Sequence, residues 1–508
     1  MARWFIDRTP QRNKPSVSLR RLLPEATFVG GRDWQVSGCS NDLRTLEPGQ
    51  VFVAVGGGRD DSQTCVARAF DQGAVGVVVE RPIVEEGRRH AVVPDARTAY
   101  ARLCHALAGD PADKLDLIGI TGGHDATLVS LLLRSVLDAA GQRFGQVGVQ
   151  GWSDGLTSLP VGVGSPAADG LASMLNAMVK RKCVGGLVEL SQPAIEATSL
   201  AEGVEFAAAI IPCVRETSDE TEDALYARRR AYARVVRRVK PGGVVVVNED
   251  DPVSEPLGAT NLGATRISIG IDRPADVRAE VEWIEAHRAK FRLVAEGIET
   301  SVTLRLGGVE AIHAALAAAA VALSRGIDPA TIAQGLESVD GIPGRFERVE
   351  EGQPFEVRID AARSPEELAA ALTQVREGRL GRVICVVGSE GHGDHTERAR
   401  LAATAFAVAD SVIFTSDNPR GEDPAGILDE LHGGTDWSDH VRTDPDRRRA
   451  IETALSMAEP GDAVVIAGKG RNAFQILADR VVPFDDRAVA ARWLRQAIAT
   501  TESWRNSA

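Results

Sequence analysis

The stretch that most constrains this chain is Gly119-Ile120-Thr121-Gly122-Gly123-His124-Asp125-Ala126-Thr127-Leu128. The apolar run 115–120 leads into it and reads as a buried strand, while the apolar spacing over 128–137 reads as a helix. A glycine-rich turn between strand and helix is the setting of a phosphate-binding loop, where backbone N–H groups and a helix N-terminus face an anion. Such a loop needs a Lys for the outer phosphates, directly before the Ser or Thr that meets magnesium. Thr127 is present, but the Lys position holds Ala126. The stretch therefore predicts a strand–turn–helix unit that has lost its own cation. Thr121, Gly122 and Thr127 remain the candidate nucleotide contacts.

A chain of 508 residues exceeds what one hydrophobic core supports, and about three domains are expected. The net charge of -13 excludes nucleic acid or an anionic membrane surface as the main partner. No apolar run reaches the ~18 residues of a membrane span. The Arg-rich start, 1–21, lacks a secretory apolar core and reads as a loose basic leader rather than a targeting segment. Cys39, Cys65, Cys104, Cys183, Cys213 and Cys385 show no CxxC spacing, and read as reduced, mostly buried thiols of a cytoplasmic protein.

Strand and helix signals alternate along the chain. A small α/β segment runs to about residue 110, with a strand at 52–55 and another at 74–80 after a Gly turn. A second segment alternates strands at 185–190, 207–211 and 243–248 with helices at 170–181 and 223–239. That order implies a mostly parallel sheet with helices on both faces. The Ala-rich helix 311–325 is read as a matter of composition, and the turn Gly341-Ile342-Pro343-Gly344 as a linker. A third segment repeats the α/β pattern, with strands at 382–388, 411–415 and 463–467. The expected fold is α/β with three domains, at 1–110, 111–343 and 344–508.

Five strings, in order, resemble motifs of the Mur ligases, of the type that adds a diamino acid to the UDP-MurNAc dipeptide. They are Pro48-Gly49-Gln50-Val51-Phe52-Val53-Ala54, Asn248-Glu249-Asp250-Asp251-Pro252, Gly344-Arg345-Phe346-Glu347, Asp417-Asn418-Pro419-Arg420 and Ala467-Gly468-Lys469-Gly470. The resemblance implies a UDP-sugar-binding domain, a central P-loop-type ATP-binding domain and a Rossmann-like amino-acid domain. It also implies ATP and Mg2+ as cofactors, and an amide synthesis through an acyl phosphate. Such a step needs positive charge and magnesium in place.

Residue by residue, the resemblance puts magnesium on Thr127 and Glu189, and nucleotide contacts on Asn248, Asp251, Arg345 and Asp360. It puts substrate contacts on Arg44, Ser165, Ser191, Asp417, Asn418, Arg420 and Gly468. Several catalytic positions depart from the family pattern. The P-loop Lys is Ala126, a metal-binding His is Pro193, and a carbamylated Lys is Arg230, whose guanidinium cannot become a carboxylate. The family's Asn and His in the next motif are Pro212 and Thr217. In the last domain an Arg is Gly393 and a Glu is Asn472, which removes one cation and one anion from the amino-acid site.

Plainer readings stand beside these. Glu189 can be a strand-end carboxylate, Thr127 a helix N-terminal residue, 248–251 a turn and 417–420 a Pro-stabilised loop. His124 and His392, in Gly-rich turns, read as surface histidines, and Arg228-Arg229-Arg230 as a solvated helix face. The leading functional expectation is a catalytically defective homologue that binds a UDP-MurNAc-peptide, an amino acid or an active cell-wall ligase. The alternatives are an active ATP-dependent amide ligase using Arg215 or Arg230 at the phosphates, and a small-molecule binder using the last domain alone.

Overall fold

The structure is a computed structural model that describes residues 16–505, except 32, 57–58, 84–87, 123, 149–150, 160–166, 198–201, 215–220, 286, 378–379 and 434–439. The chain divides into two compact units, Met1–Val339 and Asp340–Ala508.

The first unit holds two main sheets among its described residues. The smaller has five strands in the order Thr27–Val29, His90–Val92, Gly76–Val79, Val51–Val53 and Cys39–Ser40, parallel except for the first pair. The larger has eleven strands. Its parallel centre runs Phe144–Gly148, Gly185–Leu190, Asp116–Thr121, Phe206–Ile211, Val239–Asn248 and Thr265–Gly270. Gly185–Leu190 is buried along its whole length, which is why the central strands read as continuous apolar runs rather than alternating ones. At the far edge, Val277–Ile284, Ala289–Ala295 and Ile298–Leu304 form an antiparallel meander.

The Ala-rich helix Val309–Ser324 is a packing device rather than an accident of composition. Its run from Ala314 to Ala322 is buried throughout. Small side chains let it lie close to the sheet and to helix His124–Ala139. The same crowding fixes Gly335 in helix Pro329–Glu337, where a Cβ would stand 2.5 Å from the Val136 Cα.

The second unit is a six-stranded sheet in the order Glu347–Arg348, Glu356–Asp360, Ala463–Ala467, Val383–Ser389, Ser411–Ser416 and Val441–Asp444, parallel except for the first pair. Alternate residues of each strand serve opposite faces. Val383, Cys385 and Val387 pack with Leu368, Leu401 and Ile427 from helices on one side. Ile384 and Val386 pack with Ile451, Leu455 and Leu494 on the other. None of the six cysteines is in a disulfide; Cys104, Cys183 and Cys385 are buried and the other three half-buried, so the thiols are less uniformly buried than expected.

His105, in helix Ala96–Leu107, is 3% exposed, and neither ring nitrogen has a hydrogen-bond partner among the described residues. Burial pulls its pKa down to about 4 from 6.5, against a smaller upward pull from Asp113. The unfolded chain therefore binds a proton in this window that the folded chain refuses. Stability is intact above pH 6.5 and falls as pH drops toward 4, by about 3 kcal/mol in full. Urea titrations across this range should show that slope in the native chain and a shallower one in His105→Leu. Equal slopes would remove His105 as the cause.

Candidate functional site

In the first unit, strand Asp116–Thr121 ends at Gly122, whose φ of +122° lies where a side chain would be strained, and helix His124–Ala139 follows. Ala126 is 1% exposed, a methyl group facing packed surroundings where a phosphate loop carries its cation. The Thr121 hydroxyl donates to the Ile210 carbonyl at 3.1 Å, so it serves the sheet rather than an anion. The Thr127 hydroxyl donates to Glu189 Oε2 at 3.2 Å, and Gln146 Nε2 donates to Glu189 Oε1 at 3.2 Å. Glu189, near the C-terminal end of its strand, and Thr127, in the first turn of the helix that follows the adjacent parallel strand, are thus brought together, both buried. Gly148 makes room for this carboxylate, since a Cβ there would lie 2.2 Å from the Glu189 carboxyl carbon.

The remaining candidates of this unit are dispersed. Ser191 accepts from the Ala194 N–H at 3.4 Å, and Pro193 is exposed in helix Gln192–Ala197. Arg230 is exposed on helix Glu222–Val236, so its charge meets solvent rather than a buried metal position. Arg44 is 89% exposed and paired with Asp42 at 2.8 Å. Ser165, Arg215 and Thr217 lie outside the described residues.

A cavity of about 240 Å³ opens beside the loop, lined in part by Asp125, Asn248, Asp250, Asp251, Glu310 and His313. No Lys or Arg lines it among the described residues. Its turn is held by its own side chains. Asn248 donates to the Pro212 carbonyl at 3.0 Å and accepts from the Asp250 N–H at 3.0 Å. Asp251 accepts from the Val214 N–H at 2.7 Å. Asp250 accepts from Ile271 N–H at 2.6 Å and faces His313 Nε2 at 2.8 Å. Burial pushes the Asp250 carboxyl up, but these hydrogen bonds hold it below its ordinary value.

These residues fit ATP and magnesium only in part. Magnesium is usually held by one or two carboxylates together with substrate phosphates, and Thr127 with Glu189 offers one such donor pair. No group of three His, Cys, Asp or Glu suited to a metal occurs among the described residues. Ala126 brings a buried methyl to the loop, and the cavity lining brings carboxylates and, among the described residues, no Lys or Arg. The described residues here supply a magnesium donor pair but no cation for a γ-phosphate.

In the second unit, strand Ser411–Ser416 runs into Asp417, Asn418 and Arg420. Asp417 and Asn418, substrate contacts by resemblance, are 1% and 0% exposed. Lys469 Nζ donates to Asp417 Oδ1 at 3.0 Å and to Asn418 Oδ1 at 3.1 Å. Burial raises the Asp417 carboxyl, and Lys469, Arg447 and Arg363 together outweigh it, so its pKa lies below the ordinary value. Burial also pulls the Lys469 ammonium downward. Arg420 adopts φ +55°, and its N–H donates to the Ile476 carbonyl at 2.9 Å.

Glu390 closes this constellation. Its carboxylate accepts from Asn418 Nδ2 at 3.1 Å and from Arg420 Nη2 at 2.9 Å, and lies 3.3 Å from Arg363 Nη1. Arg363 Nε also donates to the Gly468 carbonyl at 2.8 Å. Beside Gly393 and Asn472, which carry no charge, Arg363 and Glu390 bring a cation and an anion to Arg420. Gly468 has φ +109°, and its N–H donates to the Asp360 carbonyl at 3.0 Å. The Asp360 carboxylate accepts from the Phe346 and Ala362 N–H groups, each at 2.7 Å, and burial raises its pKa. Arg345 is exposed nearby, and its charge acts on Asp360. His392 is exposed, as read from its Gly-rich turn.

Sequence reasoning passed over Glu390 and Arg363 as partners of Arg420, Gln146 as a partner of Glu189, and His313 in the cavity. The one available signal was the charged residue at 390, the first position of a Gly-rich turn that follows a buried strand.

Comparison with known proteins places these features. The Mur ligase middle domain matches residues 120–322, and the Mur ligase, glutamate ligase domain matches 344–470. A UDP-N-acetylmuramoyl-L-alanyl-D-glutamate--2,6-diaminopimelate ligase of Geobacillus thermodenitrificans is 34% identical over 480 residues, covering 93% of this chain and 98% of the relative. The ligase of the same name from Syntrophomonas wolfei is 32% identical over 484 residues, covering 94% and 99%. A solved structure of a ligase with that name superposes with a TM-score of 0.63 at 25% identity, covering 96% of this chain and 100% of that one.

Proposed function

Because this chain belongs to the Mur ligase family and is a homologue of its diaminopimelate-adding ligases, we propose that it keeps the family architecture and binds a ligand or partner without running the ATP-driven step. The observation that carries this reading is the buried methyl of Ala126 beside a cavity whose charged lining is three Asp, one Glu and one His. Four carboxylates near an incoming triphosphate repel it, and at an effective dielectric of about 20 each like-charge pair ~4 Å apart costs about 4 kcal/mol before screening. The candidate ligands are a UDP-MurNAc-peptide, an amino acid or an active cell-wall ligase. Six cysteines outside any disulfide suit a reducing cytoplasm.

Isothermal titration of the full chain with ATP and magnesium is the test. Dissociation constants above about 1 mM, on the order of 4 kcal/mol of binding, support the reading, and micromolar binding overturns it. A second reading, an active amide ligase with a rearranged nucleotide site, is favoured by one observation: Thr127 and Glu189 stand together as a magnesium donor pair. Micromolar ATP binding that requires magnesium and is lost in Glu189→Ala would select it.

Three domains, 1–110, 111–343 and 344–508, remain our proposal for the functional division. Limited proteolysis should cut near residues 340–344 first and near 111 second. A single resistant core spanning all three would sink the division.

A further inference from the structure

Carboxylates are held in proteins by forked guanidinium donors and amide N–H groups converging on one point. Asn418 Nδ2, Arg420 Nη2 and Arg363 Nη1 converge in this way, and the carboxylate they converge on is the chain's own Glu390. The Asn is fixed from behind, because its Oδ1 accepts from Lys469 Nζ at 3.1 Å and from the Ile476 N–H at 3.0 Å. Its amide nitrogen is therefore turned toward Glu390 by the network rather than by Glu390 alone. Arg420 is held by its backbone to Ile476, and Arg363 by Gly468. The cradle is built by the fold, and Glu390 is the group that fills it.

Two further features separate this from an ordinary surface ion pair. The Arg420 guanidinium uses Nη2 for Glu390, while its buried Nε has no partner among the described residues. The Nε/Nη2 edge that grips a carboxylate bidentately is thus half used. Glu390 and Arg420 are also 26% and 36% exposed, so a small ligand reaches them from solvent.

We propose that Glu390 is an internal carboxylate that occupies the carboxylate cradle of the amino-acid site, and that it is the residue by which this chain rejects ligands carrying a distal carboxylate. The inference rests on reading Asp417 to Arg420 as the amino-acid site. An external carboxylate must displace Glu390 or leave two anions sharing two guanidiniums. Neutralising Glu390 frees the cradle, leaving Arg363 and Arg420 unopposed around the Asn418 amide.

The test is calorimetric titration of the full chain and its variants with diaminopimelate, lysine and glutarate. Glu390→Ala and Glu390→Gln should bind diaminopimelate and glutarate about 10- to 100-fold more tightly than the native chain, the worth of about one charge-assisted hydrogen bond. Lysine should gain less than either, because its distal end carries no carboxylate. The gain should vanish in Glu390→Ala/Arg420→Ala. The Gln variant preserves side-chain size, so it decides the matter if the Ala variant does not fold. Folded Glu390 variants that bind no better than the native chain overturn the proposal. If the native chain already binds diaminopimelate in the micromolar range and Arg420→Ala abolishes it, the amino-acid site stands and the role of Glu390 falls. A gain that survives Arg420→Ala overturns both.

Discussion

Purified full-length chain, supplied with ATP, magnesium, UDP-MurNAc dipeptide and diaminopimelate, is expected to release phosphate at least about 1,000-fold more slowly than the ~10 per second of a median enzyme. Phosphoryl transfer between two anions depends almost wholly on placed positive charge, and removing one well-placed donor typically costs about 100- to 1,000-fold. Ala126 removes the loop cation, and Pro193 offers no side-chain donor or acceptor to a metal. Arg230 is exposed, so an inverted charge there is screened, and the expected effect rests mainly on the other two. Groups that act as a unit do not add, so restoring one should recover little. Ala126→Lys alone is therefore expected to leave phosphate release within tenfold of the native chain. Turnover near 10 per second in the native chain would overturn the non-catalytic reading. Recovery to that rate in Ala126→Lys would mean the loop cation was the only loss that mattered.

The sequence made the buried parallel strands plain, because both faces are covered and the residues run apolar without interruption. The strands read at 185–190 and 463–467 coincide with Gly185–Leu190 and Ala463–Ala467. The meander Val277–Ile284, Ala289–Ala295 and Ile298–Leu304 escaped that criterion, because Arg278, Glu280, Arg292 and Glu299 interrupt it on the open face. The helix read at 128–137 begins at His124, since the polar residues of the loop already take the helical turn.

At the candidate site Ala126 stood out from one position, because a phosphate-binding loop carries a particular residue there. The role of Glu390 was not. It arises from Val383–Ser389 lying parallel to Ser411–Ser416, which sets the loops after the two strands side by side. Residues 390 and 420 meet only through that pairing, and nothing local to either announces it.

The largest stability effect should come from Arg447, the first residue of helix Arg447–Met457. Arg447 and Asp486 are both 0% exposed. Nε and Nη2 of the Arg donate to the two Asp486 oxygens at 2.8 and 2.6 Å, and Nη2 also donates to the Ala467 carbonyl at 2.9 Å. Burial works against the Arg447 cation, and the charge and hydrogen bonds of Asp486 more than offset it. Arg447→Met keeps much of the volume but leaves a carboxylate and a carbonyl without their donors. Orphaning one member of a buried ion pair costs about 3–5 kcal/mol, a large share of the ~5–15 kcal/mol typical of a folded domain. Because Ala467 immediately precedes Gly468 and Lys469, the variant should also loosen the Lys469 contacts to Asp417 and Asn418. Denaturant unfolding of the full chain, followed through the transition of the second unit, gives the first number. Arg447→Met/Asp486→Leu should recover most of the loss, since two apolar groups of similar volume leave no charge behind. A single variant destabilised by less than about 1 kcal/mol, the scale of an exposed pair, would show that the pair is solvated rather than buried. A double variant no better than the single would put the cost in packing rather than in the stranded carboxylate.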